Sequence, residues 1–351
     1  MAKKIFFIGP LGAEASMVSG DSLKNLHLTR QLEKLSVHLD IIDTNACRKS
    51  VWKTLSALCS VITHRKSKYI VSASTRGAYI ILQLLRFFKI KDVIYWVIGG
   101  DVPHMMDCGF INKRPYKNAK TIIVEGERMK ESLNISGLDN VMMLPNFKHI
   151  TSVPKKQPRS AESPVKFVFL SRITEDKGCS HINKATEILN SRGLAHLFSV
   201  DFYGSIADEY KEKFHQEISQ IPNISYKGFL NLLQTENYAT LSQYDAMLFP
   251  TFFYGEGFAG IFIDAFIAGL PVIATDWSLN GEIIHHGKTG WIVPNRNIEA
   301  LANAMEQVIR NPQQAWEMGM ACQAQCMKYD TDHVVTKSLL KQLNLLNEDN
   351  K

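Results

Sequence analysis

Cysteine is scarce in this chain and never closely paired. Cys47, Cys59, Cys108, Cys179, Cys322 and Cys326 are all there are, and no two form a Cys-x-x-Cys. That removes the zinc-ribbon spacing and argues against a disulfide framework; a reducing compartment fits. Cys322 and Cys326 stand four apart on a predicted helix, a spacing open to helix packing, surface thiols or a metal pair. Long apolar runs are also missing. The longest, 78–85 and 93–98, are the size of single elements, well short of the roughly 18–20 residues of a membrane span. The start, Lys3-Lys4-Ile5-Phe6-Phe7-Ile8-Gly9, is too short for a signal peptide and reads as a first strand. There is no internal repeat and no low-complexity tract. What the chain does have is 351 residues, 45% hydrophobic and 21% charged, enough for two ordinary globular domains.

Charge is divided unevenly. Residues 1–150 carry 22 Lys and Arg against 12 Asp and Glu, a net of +10; residues 151–351 carry 18 against 22, a net of −4. A basic half suits anionic partners such as lipid head groups or diphosphates.

Strand and helix signals alternate along the first half. Strands are expected at 5–8, 37–42, 69–71, 93–98, 121–124 and 141–144, and helices at 22–34, 51–62, 78–88 and 128–133. Residues 150–164 then hold Pro154, Pro158 and Pro164 among few apolar residues, the best boundary in the chain. The alternation restarts with strands at 165–170, 198–203, 224–227, 246–250, 271–274 and 290–293. Its helices are expected at 179–189, 208–218, 231–243, 258–268, 298–310, 312–326 and 331–346. This predicts an α/β protein of two Rossmann-like, doubly wound domains, 1–152 and 165–330, joined by a linker at 153–164. Ligands are expected in a cleft between them, at the carboxyl ends of the strands.

One stretch concentrates the chemistry. From Phe253-Tyr254-Gly255-Glu256-Gly257-Phe258-Ala259-Gly260-Ile261 the chain is expected to enter a helix ended by Gly269. A glycine-rich loop running into a helix offers backbone N–H groups and a positive dipole end, a seat for a diphosphate. Glu256 before it and Asp264 within it are placed to grip hydroxyls on either side. An acid in the apolar run around Asp264 also needs a partner. In the same half, Arg172 and Lys177 follow the strand at 165–170, with Gly178 at a helix start. A guanidinium can fork a phosphate and an ammonium adds a point charge.

Together these residues resemble a known family. The carriers are Val168-Phe169-Leu170-Ser171-Arg172 with Lys177-Gly178; Asp201-Phe202-Tyr203-Gly204; Tyr226-Lys227-Gly228-Phe229-Leu230; Asp245-Ala246-Met247-Leu248-Phe249-Pro250-Thr251; the glycine-rich stretch; and Glu282-Ile283-Ile284 with Gly287-Lys288-Thr289-Gly290. As a set they resemble the retaining, nucleotide-sugar-dependent glycosyltransferases of the GT-B fold, family 4 (group 1 glycosyltransferases). The resemblance spans nearly the whole chain. Val97-Ile98-Gly99-Gly100 is similar to a branch common in bacterial surface-polysaccharide synthesis.

The resemblance implies roles. Arg172 and Lys177 would bind the donor diphosphate, and Glu256 the donor-sugar hydroxyls. Gly257, Phe258, Ala259, Gly260 and Ile261 would line the sugar and phosphate, and Asp264 would take the ribose. Gly228, Phe229 and Leu230 would lie near the base, and Gly12 would approach the phosphates from the first domain. Two departures stand out. Asp264 occupies a place where many members have Glu, and no His follows directly on the strand at 93–98, leaving Asp101 and His104 as acceptor-side candidates. The final helix, about 331–351, is expected to pack back on the first domain.

The expected reaction moves a sugar, most commonly from a UDP-sugar, to a hydroxyl of a glycan or lipid-linked glycan in O-antigen, capsule or exopolysaccharide synthesis. Anomeric configuration is retained. No Asp-x-Asp motif lies at the strand ends, the one at Asp330-Thr331-Asp332 falling beside the final predicted helix, so no metal and no cofactor are expected, and the diphosphate charge falls to Arg172, Lys177 and the helix start. The expected location is cytoplasmic, at the inner face of the membrane. Docking there would use Trp52-Lys53, the cluster at 64–69 and that at 86–91. A non-catalytic binding subunit and a sugar-nucleotide epimerase of related fold are the alternatives. No nucleic-acid recognition motif is present.

Overall fold

The computed structural model describes residues 4–12, 19–158, 160 and 163–346. The chain divides into two units: Met1–His149 with Tyr329–Lys351, and Ile150–Lys328.

The first unit is built on six parallel strands: β1 (Ile5–Gly9), β2 (Leu39–Asp43), β3 (Lys68–Ser74), β4 (Val93–Ile98), β5 (Thr121–Val124) and β6 (Val141–Met143). Their order is β2-β1-β3-β4-β5-β6. β4 is apolar at every position and wholly buried, as a central parallel strand covered on both faces must be. Trp96 on this strand meets Phe147 edge to face at 5.9 Å, in a core with Phe7, Leu28 and Ile70.

The chain end also enters that core, through Val334, Val335, Leu339, Leu340 and Leu343. A backbone bridge seats it, with Lys148 N donating to Tyr329 O and Thr331 N to Lys148 O. One helix was expected at 331–346; two short ones form, Thr331–Val334 and Lys337–Gln342. Thr336 divides them by accepting from Leu339 N at 3.2 Å, an N-cap that starts a new helix.

The second unit carries β7 (Val165–Leu170), β8 (Phe198–Tyr203), β9 (Ile224–Tyr226), β10 (Ala246–Phe249), β11 (Val272–Thr275) and β12 (Gly290–Val293). The order is β12-β11-β10-β7-β8-β9, all parallel. The chain builds outward from β7 to β9, then returns to lay β10 on the other side of β7. This is the Rossmann strand order, and the reversal falls between β7 and β10. The helices Ile298–Arg310 and Pro312–Cys326 lie where the sequence places them. The first is capped by the Asn297 side chain accepting from Ala300 N, and the second has Pro312 in its first turn. Residues 153–158 are fastened to this unit. The buried Lys156 donates to Ser242 O at 2.9 Å and to Tyr244 O, and Gln323 Nε2 donates to Pro154 O.

Candidate active site

The switch point between β7 and β10 assembles the candidate site, because the loops leaving both strands are stitched together. Beyond β7, Glu175–Lys177 forms a single tight turn that ends at Gly178, with φ +81°. A Cβ at Gly178 would stand 2.2 Å from Pro250 O, so only glycine lets the β7 loop lie against the end of β10. Phe252 N donates to Asp176 O at 2.8 Å, closing the contact.

That seam brings Lys177 to Glu256, 79 positions on. Lys177 Nζ donates to Glu256 Oε2 at 2.5 Å, and both side chains are about nine-tenths buried. Thr251 Oγ1 donates to the same oxygen at 3.1 Å. The Lys177 ammonium also lies 4.8 Å from the Phe253 ring centroid and 5.5 Å from that of Phe249. A buried ammonium and carboxylate each lose hydration, and here each offsets the other's loss. Neither is saturated in principle. An ammonium has three donors and a carboxylate about four acceptor sites, so phosphate and sugar hydroxyls can join the pair without breaking it. Arg172 stands exposed at the end of the same strand and is not drawn into the pair.

The helix expected at 258–268 runs Ile261–Ala268. Every residue from Phe262 to Ala268 is buried. With no polar face to set its phase, the apolar pattern cannot mark where the helix begins. Gly260 caps it, and Gly257, Phe258 and Ala259 form a buried irregular lead-in. The backbone N–H groups of 259–261 therefore head the helix at its positive dipole end.

Asp264 lies inside this helix, 3% exposed. Tyr238 Oη, on the Asn237–Leu241 helix, donates to Asp264 Oδ1 at 2.5 Å. Burial, then the Asp264 charge, pushes the Tyr238 pKa far above the usual phenol range, so the donor keeps its proton. Gly228, with φ +81°, and Leu230 are half-buried beyond β9, and Phe229 is exposed. Gly228 O accepts from Gly204 N at 2.8 Å, which ties this loop to the end of β8.

Three candidates belong to the first unit. Gly12 is half-buried beyond β1, where the neighbouring Leu11 N donates to Asp43 Oδ1 at 2.9 Å. Asp101 accepts a short hydrogen bond from Thr75 Oγ1. His104 is exposed, with Nε2 3.6 Å from Cys108 Sγ.

Three participants escape sequence reasoning. Tyr238 and Thr251 hold the two acids, and Phe253 faces the ammonium. Separately, in the first unit, Lys24 Nζ donates to Glu125 Oε1 at 2.5 Å and to Val97 O at 3.1 Å, a buried pair within that unit's own fold. Thr251 and Phe253 lie in the quoted motifs, but nothing local marks their partners. Tyr238 carries no signal, since it reaches Asp264 from another helix 26 positions away.

Part of the chain is similar to known proteins. Residues 153–324 match the family model for glycosyl transferases group 1. The chain is 25% identical over 232 residues to a poly(ribitol-phosphate) alpha-N-acetylglucosaminyltransferase of Staphylococcus aureus (strain COL), covering 66% of this chain and 44% of that protein. It is 24% identical over 187 residues to the amylovoran biosynthesis glycosyltransferase AmsK of Erwinia amylovora, covering 52% and 45%. The chain thus spans less than half the length of these two relatives. Among solved structures, Anabaena Alr3699/HepE in complex with UDP superposes with a TM-score of 0.71 at 15% identity, over 98% of this chain and all of that one. Among the described residues, no helix is long and apolar enough to cross a membrane. Residues 153–324 are thus similar to the group 1 glycosyl transferases, and the two-sheet fold is shared with the Anabaena structure.

Proposed function

We propose that the chain is a retaining, metal-independent glycosyltransferase of family 4. It moves a sugar from a nucleoside diphosphate, with UDP favoured, to a hydroxyl of a glycan or lipid-linked glycan in bacterial surface-polysaccharide synthesis. The observation that carries this reading is the buried Lys177–Glu256 pair at the β7/β10 switch point, within the segment matched to group 1 glycosyltransferases. The UDP bound by the Anabaena neighbour and the polysaccharide roles in the relatives' names support the choice of donor and pathway class.

Departure of a nucleoside diphosphate concentrates negative charge on the leaving phosphate. Lys177 supplies a positive charge already dehydrated and oriented, Arg172 adds a second cation from solvent, and the N–H groups of 259–261 add a dipole. Such preorganised donors act most strongly where water is excluded. Glu256 holds the donor-sugar hydroxyls and keeps the ammonium aimed. Asp264 takes the ribose hydroxyls, positioned by Tyr238. Gly228, Phe229 and Leu230 bound the base, and Gly12 approaches the phosphates. Asp101 and His104 serve the acceptor side, and the acceptor is met at the cytoplasmic face of the membrane.

The test is nucleotide release and sugar transfer by the purified chain across a panel of sugar nucleotides, with a thermal shift for each. Lys177→Ala should lower turnover by about 10²–10³-fold, the loss of about 2.7–4 kcal/mol seen for one preorganised oxyanion donor. Unchanged turnover in that variant, with any donor the native chain uses, would remove Lys177 from the mechanism.

A further inference from the structure

The Val51–Thr63 helix turns an apolar stripe outward. Val51, Leu55, Leu58 and Ile62 follow the i, i+4, i+7, i+11 spacing of one helix face. On a helix packed against a sheet that face would be the buried one. Here Val61 is the helix's one buried residue, while Trp52 is 81% exposed, Val51 74% and Leu55 47%. The adjoining Thr44–Lys49 helix has no buried residue at all.

The segment itself carries charge of one sign. Between residues 44 and 66 there is no acid, and Arg48, Lys49, Lys53, Arg65 and Lys66 are all exposed. The patch continues from Arg65, whose guanidinium lies 5.2 Å from the Phe88 ring centroid, to Phe87, which is 77% exposed. Arg86 and Lys89, both exposed, flank Phe87. Exposed apolar surface on this scale marks an interaction site.

Charge decides what covers it. A second copy of the same face would set the cations of this segment against each other, with no acid from residues 44–66 to pair them. An anionic bilayer accepts both components, with indole and aliphatic groups entering the head-group boundary and Lys and Arg reaching lipid phosphates. We infer that the Val51–Thr63 helix is an interfacial anchor that lays the first unit on an anionic lipid bilayer. Its length of about 20 Å, at about 1.5 Å per residue, suits a helix lying in the interface plane. The inference rests on the proposed membrane-borne acceptor for its purpose, and its measurement is independent of that reading. It also narrows the sequence expectation. Lys68 and Tyr69 are buried in the first sheet, so lipid contact passes to Trp52 and Phe87 and their neighbours.

Flotation of the full chain with vesicles tests it, using phosphatidylcholine alone and phosphatidylcholine mixed with phosphatidylglycerol. The chain should float with the anionic vesicles, and less so at about 1 M salt, where the screening length falls to about 3 Å. Replacing both Trp52→Ser and Leu55→Ser should lower partitioning about tenfold or more, since each exposes less apolar surface to bury. Because both residues are on the surface, the double variant should keep the native unfolding midpoint and the donor-induced thermal shift. Failure of the native chain to bind any donor would sink the transferase reading and leave the anchor standing. The anchor is overturned if the native chain ignores anionic vesicles, or if the double variant floats equally well. It is also overturned if sedimentation velocity shows a dimer that the double variant dissolves.

Discussion

At the scale of single residues, the acids of the candidate site are held by partners on other elements. Glu256 is fixed by Lys177 and Thr251, and Asp264 by Tyr238. Tyr238→Phe should therefore do two things. It removes a donor from a buried carboxylate, costing about 1–3 kcal/mol of stability in urea unfolding. It also loosens Asp264, so the KM for the donor should rise while kcat changes little. A lower kcat at unchanged KM would instead place Tyr238 in the chemical step. The choice of Glu256 and Asp264 is readable in the sequence, because acids flanked by glycine or by apolar residues have few structural uses. Their partners are not, because each pair joins elements far apart in the chain.

At the scale of elements, amphipathic helices with caps are legible to the residue. Ile298–Arg310 and Pro312–Cys326 begin and end where Asn297 and Pro312 set them. The helix expected at 231–243 shrinks to Asn237–Leu241 because Asn231 diverts the backbone. Its Oδ1 accepts from Leu233 N, and its carbonyl accepts from Asn237 Nδ2. Loop contacts between elements are a further matter, and two glycines test them. Gly178 and Gly193 both have φ near +80°, but only at Gly178 would a Cβ meet backbone, at 2.2 Å from Pro250 O. Gly193→Ala should cost about 1–2 kcal/mol, the left-handed strain alone. Gly178→Ala should cost clearly more in thermal unfolding and should weaken donor binding by parting the two loops. Equal losses at the two sites would deny the close approach its role.

At the scale of the whole molecule, stability should fall on the acid side. His27 is held neutral in the folded chain, its pKa lowered to about 3 by burial first and then by Lys148, His149 and Arg30. Its unfolded value is the ordinary 6.5. Between those two values the unfolded chain binds the extra proton, so stability declines as pH falls through that window. The slope should approach about 1 kcal/mol per pH unit from this residue. Asp332 steepens the lowest part, since hydrogen bonds from Lys34 and Gln31 hold its carboxyl below the usual range and are lost as it protonates. His27→Gln should flatten the upper part of the limb, read from urea midpoints between pH 6.5 and 4. An unchanged slope would mean that His27 protonates without penalty in the folded chain.

The sequence alone determined the α/β class, the alternation that gives two parallel sheets, and the residue types at the β7 and β10 strand ends. Those follow from local pattern: apolar runs of strand length, helical periodicity, and glycines where a backbone must turn or yield space. Only the tertiary structure decided which of those residues meet. Strand order placed β10 beside β7, and that crossing set Lys177 on Glu256 across 79 positions. Packing likewise decided the fate of the Val51–Thr63 helix. Its periodicity is that of a core helix, yet among the described residues nothing covers Val51, Trp52 and Leu55, and only Val61 is buried.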